Sequence, residues 1–234
     1  MSGDNLSHEI RHRFDELLEM LRRGSVEMGS LVLENTRRLA DALLENDLGV
    51  AEAVIAADAE VDRKYVELER LAFETMARQQ PVAGDLRFLV TITRLLYEIE
   101  RSGDLVVNAA KGLVFQHGYV LSPEISGLLG RIAARVSELW AKGIEVLDEM
   151  DGEAAQWMDR LDDEVDDLVG EFYTLIGSGS ETIGFDVAIE LSRVGRYLER
   201  IADHAVNIAE HVTFIVTGAF PAESHPPHPR PEAG

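Results

Sequence analysis

Apolar residues recur every three or four positions along most of this chain, which is the spacing of one face of an α-helix. Helix-favouring residues, chiefly Leu, Ala, Glu, Arg and Val, dominate the same stretches, and no strand pattern interrupts them. The pattern therefore predicts an all-α fold. The six predicted helices cover about residues 7–45, 48–78, 84–117, 122–150, 152–176 and 181–217.

Local signals mark the predicted helix ends. Asn46-Asp47 suits a helix end followed by the N-cap of the next helix. Pro81 disfavours helical backbone in the residue before it, so a break is predicted there. Ser122 reads as an N-cap, because proline and an acidic residue follow it in the first turn. Residues 177–180, of sequence GSGS, have a loop composition and predict the last break.

The chain contains an internal repeat. The segment DAEVD at 58–62 returns as DDEVD at 162–166, and the apolar positions of the third helix return 99 residues later in the sixth. The two offsets, 104 and 99, differ by five residues, which predicts a longer loop around 79–85 in the first copy. We interpret the chain as two copies of a three-helix unit, 5–118 and 122–217, followed by a proline-rich tail at 218–234 that is expected to be disordered.

Acidic residues recur in pairs four positions apart, beside the apolar stripe of each helix. Members of such a pair lie one turn apart on the same helix face. If neighbouring helices of each unit run antiparallel, four carboxylates meet, and each pair of charges repels by about 3 kcal/mol at ~5 Å and an effective dielectric near ~20. A hard cation bound through oxygen ligands neutralises such a cluster. The pairs are Asp58/Asp62, Glu100/Asp104, Asp162/Asp166 and Glu199/Asp203.

A solvated acidic face is the alternative to a metal site. One exposed pair of like charges at this spacing costs only about 0.2–0.5 kcal/mol, so a single pair indicates little. The repetition of two pairs in each unit, at the same angular position, favours the metal site. Asn108 and Asn207 continue the same face by one turn and are candidates to hydrogen-bond the ligands. Arg101 and Arg200 are expected to point further outward than the carboxylates.

The formal net charge of −21 limits the possible partners. A surface this acidic repels phosphate backbones and anionic lipid heads, which argues against direct nucleic-acid binding. No stretch approaches the roughly eighteen apolar residues of a membrane span, and no signal pattern opens the chain. We therefore expect a cytoplasmic protein without direct membrane insertion. Because the chain has no cysteine, Asp, Glu and His are its strong metal ligands.

Other catalytic patterns are weak. A ferritin-like di-iron centre needs Glu-x-x-His on two helices, and residues 9–12 hold the one instance. His204 and His211 have no histidine counterpart in the first copy and are expected to be exposed or to lie beside ligands. Trp140 and Trp157 are expected to serve packing.

With this repeat and these acidic pairs, the sequence resembles the PhoU family, the phosphate-uptake regulators of bacteria. The similar segments are QQPVAGDLRFL (79–89), IERSGDLVVNAAKGL (99–113), LERIADHAVNIAEHV (198–212) and the DAEVD and DDEVD segments. The resemblance covers about residues 5–217. The chain departs from the family at Ser102-Gly103, where Ile-Gly is more usual, so that Ser102 puts a small polar group on the core stripe.

The resemblance implies two three-helix bundles related by a pseudo-twofold axis. It also implies metal clusters on E/D-x-x-x-D motifs, which correspond here to the four acidic pairs. The expected ions are divalent or trivalent: iron, zinc or magnesium. A homodimer is expected as well.

The implied function is non-catalytic. Members of the family link a phosphate ABC transporter, through its nucleotide-binding subunit, to a sensor histidine kinase, and repress phosphate-starvation genes when phosphate is ample. The expected location is the cytoplasm, at the inner face of the membrane when partners bind. Two alternatives remain: a carboxylate-ligated metal-dependent hydrolase or oxidase, and a helical scaffold whose acidic faces are solvated. The enzyme would need a general base or an open metal position, and the motifs offer ligands without an evident base.

Overall fold

The computed structural model describes residues 3–219, apart from the side chains of 3–7, 10 and 180–182. This part of the chain forms six α-helices and no strand, which confirms the all-α prediction. In the same range, no helix is long and apolar enough to cross a membrane. The helices are α1 (Gly3–Glu45), α2 (Leu48–Gln79), α3 (Ala83–Phe115), α4 (Pro123–Glu149), α5 (Ala155–Ile183) and α6 (Phe185–Thr217).

Most helix ends lie where the sequence signals predict them. Asp47 caps α2, because its Oδ1 accepts a hydrogen bond of 3.0 Å from the backbone N–H of Val50. Ser122 caps α4 in the same way, with 3.3 Å between its Oγ and the nitrogen of Ile125. Between α2 and α3, the chain breaks at Gln80, whose φ of 48° is left-handed. The predicted tail lies outside the described residues from position 220 onward.

The predicted loop at 177–180 is wrong. Helix α5 continues through these residues to Ile183, and the chain turns at Gly184, whose φ of 86° suits glycine. Ile176 is buried and Ile183 packs against the core, so the helix is anchored on both sides of the GSGS run. This packing outweighs the cost of about 1 kcal/mol that each glycine brings to a helix interior.

The longer loop predicted in the first copy explains only part of the five-residue difference between the copies. Helices α2 and α5 end at equivalent positions, 21 residues after Asp58 and Asp162 respectively. The α2–α3 link has three residues and the α5–α6 link has only Gly184. The remaining three residues extend α3 at its start, so the difference lies mostly in helix length.

The helix contacts repeat between the two halves. Within each half, every helix packs on the other two, and the halves join through α1 against α4 and α3 against α6. Exchanging the first three helices with the last three leaves this set unchanged, as a pseudo-twofold arrangement requires. In the described range, α2 and α5 contact helices of their own half alone. They therefore form the outer flanks of the molecule.

One core runs through both halves. Trp140 of α4 is fully buried, and its Nε1 donates a 2.9 Å hydrogen bond to the backbone oxygen of Gly29 in α1. At Gly143, α4 approaches α6 so closely that a Cβ would lie 3.2 Å from the oxygen of Ala205. The predicted packing role of Trp140 is confirmed. The partly buried Trp157 also packs against the core.

Candidate metal centre

Each half of the molecule gathers its four predicted acidic ligands along one helix seam. Along the α2–α3 seam we name Asp58, Asp62, Glu100 and Asp104 the first acidic cluster. Along the α5–α6 seam we name Asp162, Asp166, Glu199 and Asp203 the second acidic cluster. In each cluster three members are half-buried, while the second Asp of the outer helix is exposed. The predicted position beside the core stripe is therefore observed twice.

In the first acidic cluster, the carboxylates lie close enough to perturb one another. Burial, followed by the charges of Asp62 and Asp104, raises the pKa of Asp58 from its ordinary 3.8 to about 6, against an opposing effect of Lys111. The pKa of Glu100 is also raised, by burial first and then by Asp104. Negative charge is thus disfavoured at this seam.

The second acidic cluster is perturbed more strongly. Burial, then Asp203 and Asp166, raises the pKa of Asp162 from 3.8 to about 7, with further contributions from Asp159 and Asp163 on the same helix. A carboxyl with a pKa near 7 is partly protonated at neutral pH. Burial and the neighbouring carboxylates together therefore disfavour the ionised form of Asp162 at this seam.

The other two half-buried members of the second acidic cluster follow the same trend. Burial raises the pKa of Glu199, against the opposing charge of Arg196. Burial and then Asp166 raise the pKa of Asp203. Both helices of the seam therefore carry carboxylates whose ionised form is disfavoured by burial.

The first Asp of each pair on the outer helices, Asp58 or Asp162, is partly buried. Oδ1 of Asp162 is buried and has no hydrogen-bond partner in the structure. Its counterpart, Asp58, faces Gly103 of α3, where an added Cβ would lie only 3.1 Å from Oδ1 of Asp58. An unpaired buried oxygen costs free energy until a proton or a cation satisfies it.

The donor set suits a hard cation, because all eight candidate ligands are carboxylates. As they stand, no three acidic or histidine side chains of the described residues converge closely enough to hold an ion. Asp62 and Asp166 are exposed on the outer helices, and the half-buried carboxylates lie beside them on the seam. The structure therefore brings the ligands to one place without arranging them around a centre.

Arginines neutralise part of each cluster. Nη1 of Arg101 lies 2.8 Å from Oδ2 of Asp104, so this side chain turns toward the cluster and not outward as expected. In the second half, Arg196 forms an ion pair with Glu199. The role of Arg196 was missed in the sequence, because Tyr97 occupies the equivalent position of the first copy.

A buried polar network joins the two halves near the clusters. His204 of α6 is only 8% exposed, so of the two expected positions, exposed or beside the ligands, the structure excludes the exposed one. Its Nδ1 lies 2.8 Å from Oγ of Ser102 in α3, and its Nε2 lies 3.6 Å from Oε2 of Glu98. Burial, then Arg200 and Arg101, lowers the pKa of His204 to about 4, so the ring is neutral at neutral pH.

Other sequence expectations near the clusters are corrected. Nδ2 of Asn207 lies 3.5 Å from Oε2 of Glu98, so it turns toward the α3–α6 interface and not toward the candidate ligands. Asn108 is exposed. His211 is partly buried, and burial followed by Arg94 lowers its pKa to about 4. The sequence holds no signal for these positions, because they depend on how α3 and α6 pack.

Comparison with known proteins agrees with the repeat. The PhoU domain model matches residues 25–113 and again 129–212. The chain is 33% identical over 222 residues to phosphate-specific transport system accessory protein PhoU homolog 1 of Mycobacterium leprae, covering 94% of this chain and 100% of that protein. It is 33% identical over 213 residues to PhoU homolog 2 of Mycobacterium tuberculosis, covering 91% and 100%.

A solved structure shares the whole fold. The crystal structure of PhoU from Pseudomonas aeruginosa superposes with a TM-score of 0.82 at 25% identity, covering 88% of this chain and 100% of that chain. The matched family model, the full-length relatives and this superposition lead to one conclusion. The chain belongs to the PhoU family.

Proposed function

We propose that this protein is a non-catalytic regulator of phosphate uptake. In this proposal it links the nucleotide-binding subunit of a phosphate ABC transporter to a sensor histidine kinase, and represses the phosphate-starvation response when phosphate is ample. The observation that carries the proposal is similarity over the full length of relatives named phosphate-specific transport system accessory proteins. The kinase link and the repression extend that name by family resemblance.

The proposed setting follows from the same role. The protein acts in the cytoplasm as a homodimer and reaches the inner face of the membrane by binding its partners. Its net charge of −21 favours partners with cationic surfaces over nucleic acid or anionic lipid.

The proposal includes one metal site in each half, held by the first and second acidic clusters. Two observations support it: carboxylate pKa values are raised at both seams, and the buried Oδ1 of Asp162 has no partner. A divalent or trivalent ion, such as iron, zinc or magnesium, supplies the missing positive charge. Asp58 and Asp162 would hold the ion through their carboxylates, together with the exposed Asp62 and Asp166 and the other members of each cluster.

The absence of catalysis in this proposal rests on the surroundings of the clusters. The nearby histidine, His204, is buried against Ser102 and Glu98 at the interface between α3 and α6. It therefore supplies no solvent-accessible base to a substrate at the acidic surface. The carboxylates themselves are expected to serve as ligands, which leaves a hydrolase or oxidase without a proton-transfer group.

A genetic and a binding experiment test the regulatory role. A strain lacking the protein should express a phosphate-starvation promoter at high phosphate, and wild-type protein should restore repression. The purified protein should bind the transporter's nucleotide-binding subunit and the cytoplasmic part of the kinase in biolayer interferometry. Unchanged repression in the deletion strain, or metal-dependent turnover of phosphate esters by the pure protein, would contradict the proposal.

Metal content tests the sites. Untagged protein purified without chelator should retain metal by inductively coupled plasma mass spectrometry. Glu199→Ala should lose the metal of the second half and keep its helical circular dichroism. Asp41→Asn, which alters an exposed Asp of α1 away from both seams, should keep the wild-type content. Equal metal content in all three proteins would place any bound ion elsewhere.

A further inference from the structure

The first half carries apolar side chains on its surface. Val66 and Phe73 of α2 are 62% and 54% exposed, and Val90 and Tyr97 of α3 are 42% and 53% exposed. Isolated exposed apolar residues are ordinary on a protein surface. These four are distinguished by their position on two helices that pack against each other.

The register of the two helices brings the four residues together. An added Cβ on Gly103 of α3 would lie 3.1 Å from Oδ1 of Asp58 and 3.4 Å from the side chain of Val61 in α2. Further along the seam, the charge of Glu100 in α3 acts on Tyr65 of α2, so the two helices run antiparallel. The same register places Val66 level with Tyr97, and Phe73 level with Val90, along the axes of the two helices.

Helix geometry makes these two pairs one continuous surface. The members of each helix are seven residues apart, which is almost two full turns and about 10 Å of axis. We call Val66, Phe73, Val90 and Tyr97 the apolar stripe. It begins one turn beyond Asp62 of the first acidic cluster.

The second half has the same fold, but its outer helix α5 carries no large side chain at the equivalent positions. Gly170, Gly177 and Arg196 occupy the positions of Val66, Phe73 and Tyr97, and only Ile189 remains apolar. Here the seam is an open groove of about 520 Å³, and its lining includes Gly177 and Arg196 together with the apolar side chains of Tyr173, Phe185 and Ile189. The fold therefore does not require large apolar groups at these positions, and the stripe serves something other than packing.

We propose that the apolar stripe docks the apolar face of a basic amphipathic helix from a partner protein. A helix presents apolar anchors at intervals of three, four and seven residues, which match the seven-residue spacing of the stripe. The partner's polar face is basic because the stripe runs into the first acidic cluster, on a chain of net charge −21. This inference rests on the proposed adaptor role and adds the face and the chemistry of the contact.

The outer position of the stripe makes it accessible. In the described range α2 packs on α1 and α3 alone, so its remaining face is open. A second copy of this chain is a poorer occupant, because it brings the same acidic charge to the same acidic seam. Self-association through the stripe is nevertheless a distinct outcome that the experiment below separates.

The test uses two synthetic 18-residue amphipathic helices with the same leucine face, one with lysine and one with glutamate on the polar face. Binding is measured by fluorescence anisotropy in chelator at physiological ionic strength. The test variant is Val66→Ala/Phe73→Ala/Tyr97→Ala. The matched control is Phe185→Ala/Ile189→Ala, which removes exposed apolar groups of the second half. Both variants keep the net charge.

We expect the dissociation constants of the lysine peptide for wild type and for the control to agree within twofold. Its dissociation constant for the test variant should be at least tenfold larger. The glutamate peptide should bind none of them. Equal binding to the test variant and wild type, or equal weakening in both variants, would overturn the proposal, because general attraction to an acidic protein explains either result. Phe73→Lys provides a second variant, which repels the lysine peptide at the same site.

Sedimentation velocity without peptide tests whether a second copy of this chain occupies the apolar stripe instead. If the test variant loses a dimer that wild type and control form, the stripe is a contact between copies and the proposal is wrong. Promoter repression and binding to the transporter subunit are measured independently of the peptides. A failure of the stripe thus leaves the regulatory role standing, and a failure of that role is visible in its own assays.

Discussion

Replacing Asp162 by Asn removes a negative charge from the second acidic cluster without removing the shape of the side chain. The pKa of Asp162 rises from 3.8 to about 7, chiefly through burial and the charge of Asp203. A shift of about three units corresponds to about 4 kcal/mol at 1.36 kcal/mol per unit. Because the side chain is partly exposed, water screens the interaction, and we discount the effect to about 2 kcal/mol. The metal-free Asp162→Asn protein should be more stable than wild type by that amount at pH 8.

The dependence on pH follows from the direction of the shift. The unfolded carboxyl titrates near 3.8 and the folded one near 7, so the folded state binds more protons between these values. The stability of the wild type should therefore fall as pH rises through this window and level off above it. The advantage of Asp162→Asn should be about half as large at pH 5.5 as at pH 8.

Urea unfolding followed by circular dichroism in EDTA, at pH 5.5 and pH 8, measures both effects. Asp41→Asn is the control, because it removes an exposed carboxylate of α1 and should change stability by less than about 0.5 kcal/mol at either pH. Adding the metal found in the purified protein should stabilise Asp162→Asn less than wild type, because only the first acidic cluster of the variant still binds an ion. If Asp162→Asn is no more stable than wild type at pH 8, or gains equally at both pH values, the ionised carboxyl of Asp162 does not destabilise the folded protein.

Three further substitutions test the packing, each by urea unfolding. Ser102→Ala removes the 2.8 Å partner of His204 Nδ1 and should lower the unfolding free energy by about 1–2 kcal/mol; an unchanged value would contradict the network between the halves. Trp140→Phe removes the hydrogen bond to Gly29 and leaves a cavity, with an expected loss of about 2–4 kcal/mol; a loss below about 1 kcal/mol would contradict a tight α1–α4 contact. Gly177→Ala meets nothing within 4 Å and should add about 1 kcal/mol, whereas a loss would contradict a helix at this residue.

The local sequence was sufficient to predict most of the helices. Helix ends such as the caps at Asp47 and Ser122 and the break before Pro81 depend on neighbouring backbone groups. Their positions can therefore be predicted without the rest of the fold. The run at 177–180 has equally clear loop signals and is helical nonetheless. There, the packing of Ile176 and Ile183 outweighs the intrinsic preference of glycine and serine.

The same division applies to the acidic clusters. The repeat and the four-residue spacing were enough to place every candidate ligand beside the apolar face of its helix. Helical periodicity alone determines the angle between a residue and that face. They were not enough to show that Arg101 turns inward or that Asp162 has a buried oxygen without a partner. Those facts depend on side-chain rotamers and on the distance between helices.

The sequence by itself therefore determines the six helices, the twofold repetition and the helix faces on which the carboxylates lie. The exception is the boundary between α5 and α6. Each of these depends on residues within a few turns of one another. The tertiary structure decides which helices pack together. The contact of α3 with α6 buries His204 against Ser102. The contact of α2 with α3 places the apolar stripe next to the first acidic cluster. Contacts between residues far apart in sequence follow from the packing of the whole core, and no local pattern specifies them.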